Sequence, residues 1–183
     1  MEVAAFAKST IGKLIIRALG AAMESRFRYR FFGPMNILKG TDGLFGRVVL
    51  EVGCGTGYFT VPAARMIGDG GSLVAIDVVP ESVELVSGKV QAANLRNVRV
   101  VKADALETGL DTASFDTVLL FGVIPSPMLP LNRLLPEMHR VLKQEGALAV
   151  WPPIPGWFPR SIVQSGLFKY LTKRNGVYNF TRS

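Results

Sequence analysis

Apolar residues in this chain recur in short blocks of strand length, and between the blocks lie longer stretches with helical spacing. The run Val48–Val52 is apolar except for one acid, Glu51, near its end. Residues 57–67 read as an amphipathic helix, closed by the turn cluster Gly68-Asp69-Gly70-Gly71. Residues 73–76 form a second strand ending at Asp77, and Pro80 stands where a first helical turn tolerates proline. That helix runs to about Ala93. A third strand over 98–101 ends near Asp104, and the fourth, Phe115–Phe121, is almost wholly apolar, as a strand covered on both faces should be. Leu131, Leu134, Leu135, Met138, Val141 and Leu142 have helical spacing, but Pro136 interrupts them and places the helix start at the proline. Gly146 ends the next connection, and 147–151 is the fifth strand. Two last strand-like runs, 167–172 and 177–181, flank Lys173-Arg174-Asn175-Gly176, and Asn-Gly between such runs marks a hairpin.

Alternating strands and helices imply an α/β fold: a doubly wound, mostly parallel sheet of five β/α units, finished by a C-terminal antiparallel β-hairpin. The length of 183 residues fits one domain. Residues 41–183 would form the sheet domain, closing with the last strand and nothing appended, and residues 1–40 an amphipathic helical segment ahead of it.

Three glycines on alternate positions, Gly53, Gly55 and Gly57, follow the first strand directly. A strand, a tight glycine turn and a helix start form the place where such sheets hold a nucleoside-containing cofactor, because a side chain there would keep the backbone from the ligand. The dinucleotide pattern G-x-G-x-x-G would need a glycine where Tyr58 stands. That weighs against a nicotinamide-dependent oxidoreductase. The actual pattern, Glu51-Val52-Gly53-Cys54-Gly55-Thr56-Gly57, resembles motif I of the class I S-adenosylmethionine-dependent methyltransferases. The helix sequence Leu135-Pro136-Glu137-Met138-His139-Arg140-Val141-Leu142-Lys143 is similar to the one before the fifth strand in small-molecule methyltransferases of the quinone-biosynthesis type. There the family usually continues Pro-Gly-Gly, and this chain has Gln144-Glu145-Gly146. The resemblance covers about residues 40–183 and implies the Rossmann-like, seven-stranded methyltransferase sheet, with S-adenosyl-L-methionine as cofactor.

The resemblance also implies roles. Asp77 would accept hydrogen bonds from both ribose hydroxyls; as a plain structural feature it is a cap for the helix from Pro80. Asp104 would accept from the adenine amino group, with the N–H of Ala105 meeting a ring nitrogen, or it is a turn aspartate. Val78 and Leu106 would wall the adenine. Glu51 would meet the methionine amino group, or it caps backbone beside the glycine loop. Cys54 belongs to the loop as a small side chain; no base beside it is visible that would make it a nucleophile.

No catalytic residue stands out. The one histidine, His139, sits on the helix away from the expected cofactor edge and reads as structural. Displacement at an activated sulfonium requires a base only when the acceptor must lose a proton. After the fourth strand, where the family places acceptor contacts, the chain reads Gly122-Val123-Ile124-Pro125-Ser126-Pro127-Met128. It lacks the Asn-Pro-Pro-Tyr motif of amide- and base-directed enzymes and is compatible with a hydrophobic acceptor. Pro125, Ser126 and Trp157 are the acceptor-side candidates, with Tyr29 from the N-terminal segment.

Charge adds one element. The net charge is +7, and it is concentrated at the ends: seven Lys/Arg against two acids in residues 1–40, and five against none in 156–183. In the first segment Ala7, Ile11, Leu14, Ile15, Ala18, Leu19 and Ala22 share one helical face, with Lys13, Arg17 and Glu24 opposite. Two readings fit: a helix that covers cofactor and substrate, or one lying in an anionic membrane interface. No run reaches the ~18 apolar residues of a membrane span. No secretory leader is expected, and the single cysteine excludes an internal disulfide and a cysteine-built metal site. The expected function is therefore methyl transfer to a small or lipid-like acceptor, a phospholipid headgroup or a quinone-like molecule, in a cytoplasmic and peripherally membrane-associated protein without metal. The rival is a non-catalytic S-adenosylmethionine-binding or lipid-surface partner protein. Nucleic acid is the less favoured partner, because the expected cleft is apolar.

Overall fold

The computed structural model describes residues 33–183, Pro155 excepted. Twelve elements follow in order: α1 (Pro34–Leu38), β1 (Val48–Val52), α2 (Thr60–Ile67), β2 (Ser72–Asp77), α3 (Pro80–Ala92), β3 (Val98–Lys102), β4 (Phe115–Phe121), α4 (Leu131–Val141), β5 (Leu142–Trp151), α5 (Arg160–Gln164), β6 (Phe168–Arg174) and β7 (Val177–Arg182). They build one seven-stranded sheet in the order β3-β2-β1-β4-β5-β7-β6. The first five strands are parallel, and β7 runs antiparallel to both β5 and β6. This is the doubly wound sheet with a C-terminal hairpin that the hydrophobic pattern implies.

Strand alternation sorts the core into two layers. Leu50, Val52, Val118, Leu120, Leu148 and Val150 point to one face, where Leu134, Leu135 and Met138 of α4 and Ile162 of α5 cover them. Val49, Leu73, Leu119, Phe121 and Ala149 point to the other, under Ala63, Ala64 and Ile67 of α2 and Ile37 and Leu38 of α1. The described end of the N-terminal segment is thus packed into the core of the sheet domain.

The structure departs from the sequence reading in four places. Residues 103–114, between β3 and β4, hold no helix, so the third strand is not followed by a helical unit. Helix α2 begins at Thr60 rather than at Gly57, because the glycine loop occupies the residues before it. Helix α4 begins at Leu131 and continues through Pro136, with the N–H groups of Arg133 and Leu134 both bonded to the Pro130 carbonyl. Strand β5 starts at Leu142, and the expected connection around Gly146 is a register shift inside it: Phe115 pairs with Leu142 but Thr117 with Ala147. The hairpin is as the sequence implies. Asn175 and Gly176 both take positive φ, 48° and 80°, the two-residue turn whose twist suits adjoining strands. Short helices α1 and α5 carry no periodic run long enough to mark them.

Candidate active site

At the carboxyl end of β1 the backbone N–H groups of Gly53 and Cys54 both donate to the Ile76 carbonyl, which ties the glycine loop to β2. Two of the glycines there answer different needs. A Cβ on Gly53 would lie 2.5 Å from Cγ1 of Val123, in the loop after β4, and its φ of +72° disfavours any side chain. A Cβ on Gly57 would press on Val86 of α3 at 3.2 Å, so this glycine serves helix packing. By contrast, the space above Gly55 is open: a Cβ would meet only the Gly53 carbonyl oxygen, at 3.9 Å.

Asp77 ends β2 beside this loop. Its Oδ2 accepts the Gly55 N–H and its Oδ1 the Val79 N–H, each at 2.9 Å. The carboxylate therefore holds the glycine loop and the entry to α3 together, and both oxygens keep further lone pairs. Burial pushes its pKa up, while the N–H groups of Val79, Gly55 and Val78 oppose the shift. Asp104, after β3, is exposed, and its Oδ1 accepts the Leu106 N–H at 2.8 Å in a local turn.

These features meet in one cavity of about 400 Å³ beyond the carboxyl ends of the central strands. Gly53, Gly55, Asp77, Val78, Asp104, Ala105, Pro125 and Ser126, all candidates from the sequence, line it. Five candidates do not. Glu51 is buried beneath the loop; Cys54 turns away to pack with Ala75, Val86 and Val90; Gly57 lies against α3; Leu106 and Trp157 pack on the larger core layer. Tyr29 lies outside the described residues. Gly122, Val123 and Met128, from the segment where the resemblance places acceptor contacts, also line the cavity, as do Val52, Ile76, Val79, Ser82, Ala103 and Leu129, which the sequence reading did not single out. A glycine directly after a buried central strand, Gly122, was a legible sign of a sharp turn into the site, and its φ is +74°.

Glu51 is the unusual group. It is 3% exposed, and its Oε2, like Oγ1 of Thr60, has no hydrogen-bond partner among the described residues. Burial pushes its carboxyl up to about 8; the nearby Thr60 hydroxyl opposes this and the Asp77 carboxylate adds to it. Glu51 is thus protonated near neutrality and carries an unmade bond next to the glycine loop. Burial raises the Cys54 thiol as well, with Glu51 and Asp77 adding to the shift, which removes the thiolate a nucleophile would need.

His139 is remote from the cavity. Its Nε2 accepts the Arg182 Nε–H at 3.2 Å, and its ring packs edge-on against Phe168. Among the described residues no group of three His, Cys, Asp or Glu could hold a metal ion, and no helix is long and apolar enough to cross a membrane.

The cavity fits S-adenosylmethionine in kind. An open glycine cradle, an acid with spare lone pairs after β2, a second acid after β3 and an unsatisfied buried carboxyl under the loop suit an adenosine carrying an ammonium group.

Comparison with known proteins agrees. Residues 49–146 match the methyltransferase domain family. The chain is 35% identical over 142 residues to the demethylmenaquinone methyltransferase of Listeria welshimeri, covering 74% of this chain and 56% of that protein. It is 34% identical over 123 residues to the enzyme of that name from Staphylococcus aureus, covering 66% and 46%. The chain thus spans about half the length of the curated relatives it matches. A SAM-dependent methyltransferase from Aquifex aeolicus shares the fold, with a TM-score of 0.69 at 23% identity, over 91% of this chain and 95% of that one. Motif, sheet order, cleft and family match converge, and the chain belongs to the class I S-adenosylmethionine-dependent methyltransferases.

Proposed function

We propose that the cleft transfers a methyl group from S-adenosylmethionine to an apolar, quinone-like acceptor. The observation that carries this reading is the composition of one cavity: Asp77 and Asp104 on its polar side, and Val123, Pro125, Met128 and Leu129 on the other. When bound, the cofactor supplies a methyl group already activated on sulfur. The chain's residues then have to align the partners and exclude water, and alignment alone is worth ~7–11 kcal/mol in well-oriented reactions.

Asp77 accepts from the ribose hydroxyls through the lone pairs its backbone bonds leave over. Asp104 accepts from the adenine amino group, the Ala105 N–H faces a ring nitrogen, and Val78 forms an apolar wall. Glu51 gives its unsatisfied oxygen to the methionine amino group, directly or through water. On the acceptor side Ser126 brings a hydroxyl, whose Oγ accepts the Met128 N–H at 3.2 Å and so shapes the loop. An acceptor rich in hydrogen-bonding groups would leave them unmet against this wall, whereas an aromatic ring would not. That the matching relatives are demethylmenaquinone methyltransferases supports a quinone-like ring over a phospholipid headgroup.

The test uses methyl-labelled S-adenosylmethionine with a prenylated naphthoquinol lacking its ring methyl, and with phosphatidylethanolamine in parallel. Label on the quinol is expected. Label on the phospholipid alone would favour the headgroup reading. Cofactor binding without turnover of either would favour a non-catalytic role.

A further inference from the structure

Beyond the cleft, the C-terminal edge of the sheet carries an apolar and basic surface that the methyl-transfer reading does not use. Ile154 is 51% exposed, Phe158 38%, Val163 42%, Tyr170 42% and Leu171 53%. The ring contacts show how they assemble. Phe158 stacks edge-on against Tyr170 at 5.7 Å and against Tyr178 at 5.3 Å, and Tyr170 meets Phe180 at 5.7 Å. Phe158, in the segment after β5, and Tyr170 of β6 therefore form one aromatic surface, with Ile154 and Val163 exposed in the adjoining segment and helix α5, whereas Leu171 lies with Lys169 and Thr181 on the other face of the hairpin. Lys173 lies on the same face, its Nζ 4.6 Å from the Tyr178 ring centre, and Arg160 is exposed at the start of α5. Register places the patch near the cleft: Lys173 pairs with Tyr178, and Tyr178 with Val150, one residue before the carboxyl end of β5.

We propose that this surface docks on an anionic lipid bilayer, with Ile154, Phe158, Val163 and Tyr170 entering the interface and Arg160 and Lys173 at headgroup level. Aromatic and aliphatic side chains flanked by Lys and Arg are the chemistry of interfacial binding. Charge selects the occupant. Arg160 and Lys173 border the patch and residues 156–183 contain no acid, so a second copy docking by a two-fold axis would set like charges face to face. The N-terminal stretch carries the same sign of charge, with seven Lys/Arg against two acids in residues 1–40. A negatively charged membrane surface complements both. The surface lies outside the cavity, so this inference stands whether or not the acceptor is a quinone.

Vesicle co-sedimentation of the full chain tests it, with phosphatidylcholine alone and with an equimolar mixture of phosphatidylcholine and phosphatidylglycerol. Binding to the mixed vesicles only is expected. Phe158→Ser with Tyr170→Ser, and separately Arg160→Glu with Lys173→Glu, should each weaken it at least about tenfold. Calorimetric affinity for S-adenosylmethionine should stay unchanged in both variants, which shows that they fold. Absence of binding to mixed vesicles would overturn the proposal. So would binding that the patch substitutions leave intact, since the basic N-terminal stretch would then be the anchor. A wild-type dimer that the same substitutions dissociate would overturn it in favour of a second copy.

Discussion

Asp77 does two things at once, and its substitutions separate them. Its carboxylate fastens Gly55 and Val79 and, in the proposed complex, receives the ribose. Asp77→Asn keeps one acceptor oxygen and loses the charge; Asp77→Ala loses both. Calorimetry should show at least a tenfold weaker affinity for S-adenosylmethionine in the alanine variant, about 1.4 kcal/mol, and an intermediate loss in the asparagine variant. Unchanged affinity in a folded alanine variant would remove Asp77 from the site. Glu51 makes a different prediction. Its folded pKa of about 8 lies above the ordinary 4.5, so between those values the folded chain holds a proton that the unfolded chain has lost. Stability should therefore fall as pH rises through that window, by up to about 1.4 kcal/mol per unit. Glu51→Gln is neutral throughout and should lack this slope, which urea unfolding at about pH 6 and about pH 9 would measure. At Gly53, alanine would force its Cβ against Val123 in a disfavoured backbone region. A stability loss of ~1–3 kcal/mol is expected together with weaker cofactor binding, read by thermal unfolding with and without S-adenosylmethionine.

Element by element, the legible part of the fold is the part with strong periodicity. Strands β1, β2, β4 and β7 and helix α3 lie within one or two residues of where the pattern puts them, because each buries an almost continuous apolar run or a helical stripe. Segment 103–114 and the residues after Leu142 defied the pattern because tertiary pairing, not local sequence, decides them: Ala113 and Ser114 donate to the carbonyls of Arg140 and Val141 across the chain. The site divides in the same way. Residues adjacent to strand ends, such as Asp77 and Ala105, could be read from sequence. Leu129 and Ser82 reach the cavity through loop and helix geometry that a linear pattern does not encode. Cys54 and Gly57 show the converse, as members of the motif whose side chain or open face is turned to α3. Pro136 offers a test at this scale. It is exposed inside α4 and withholds an N–H from the turn that starts at Asn132. Pro136→Ala should raise stability by roughly 1 kcal/mol or more in urea unfolding, because interior helical proline is costly and no core contact is lost.

Over the whole molecule, division of labour follows the sheet. Its carboxyl edge gathers the glycine loop, two acids and an apolar wall; its two faces are closed by helices; its C-terminal margin is basic and partly apolar. The proposed acceptor partitions out of water, and the most direct measurement is where the methyl group goes. The full chain, incubated with methyl-labelled S-adenosylmethionine and a cell extract, should place label in the organic-soluble fraction, and Asp77→Ala should abolish most of it. Label confined to aqueous metabolites, RNA or protein would contradict the apolar-acceptor assignment.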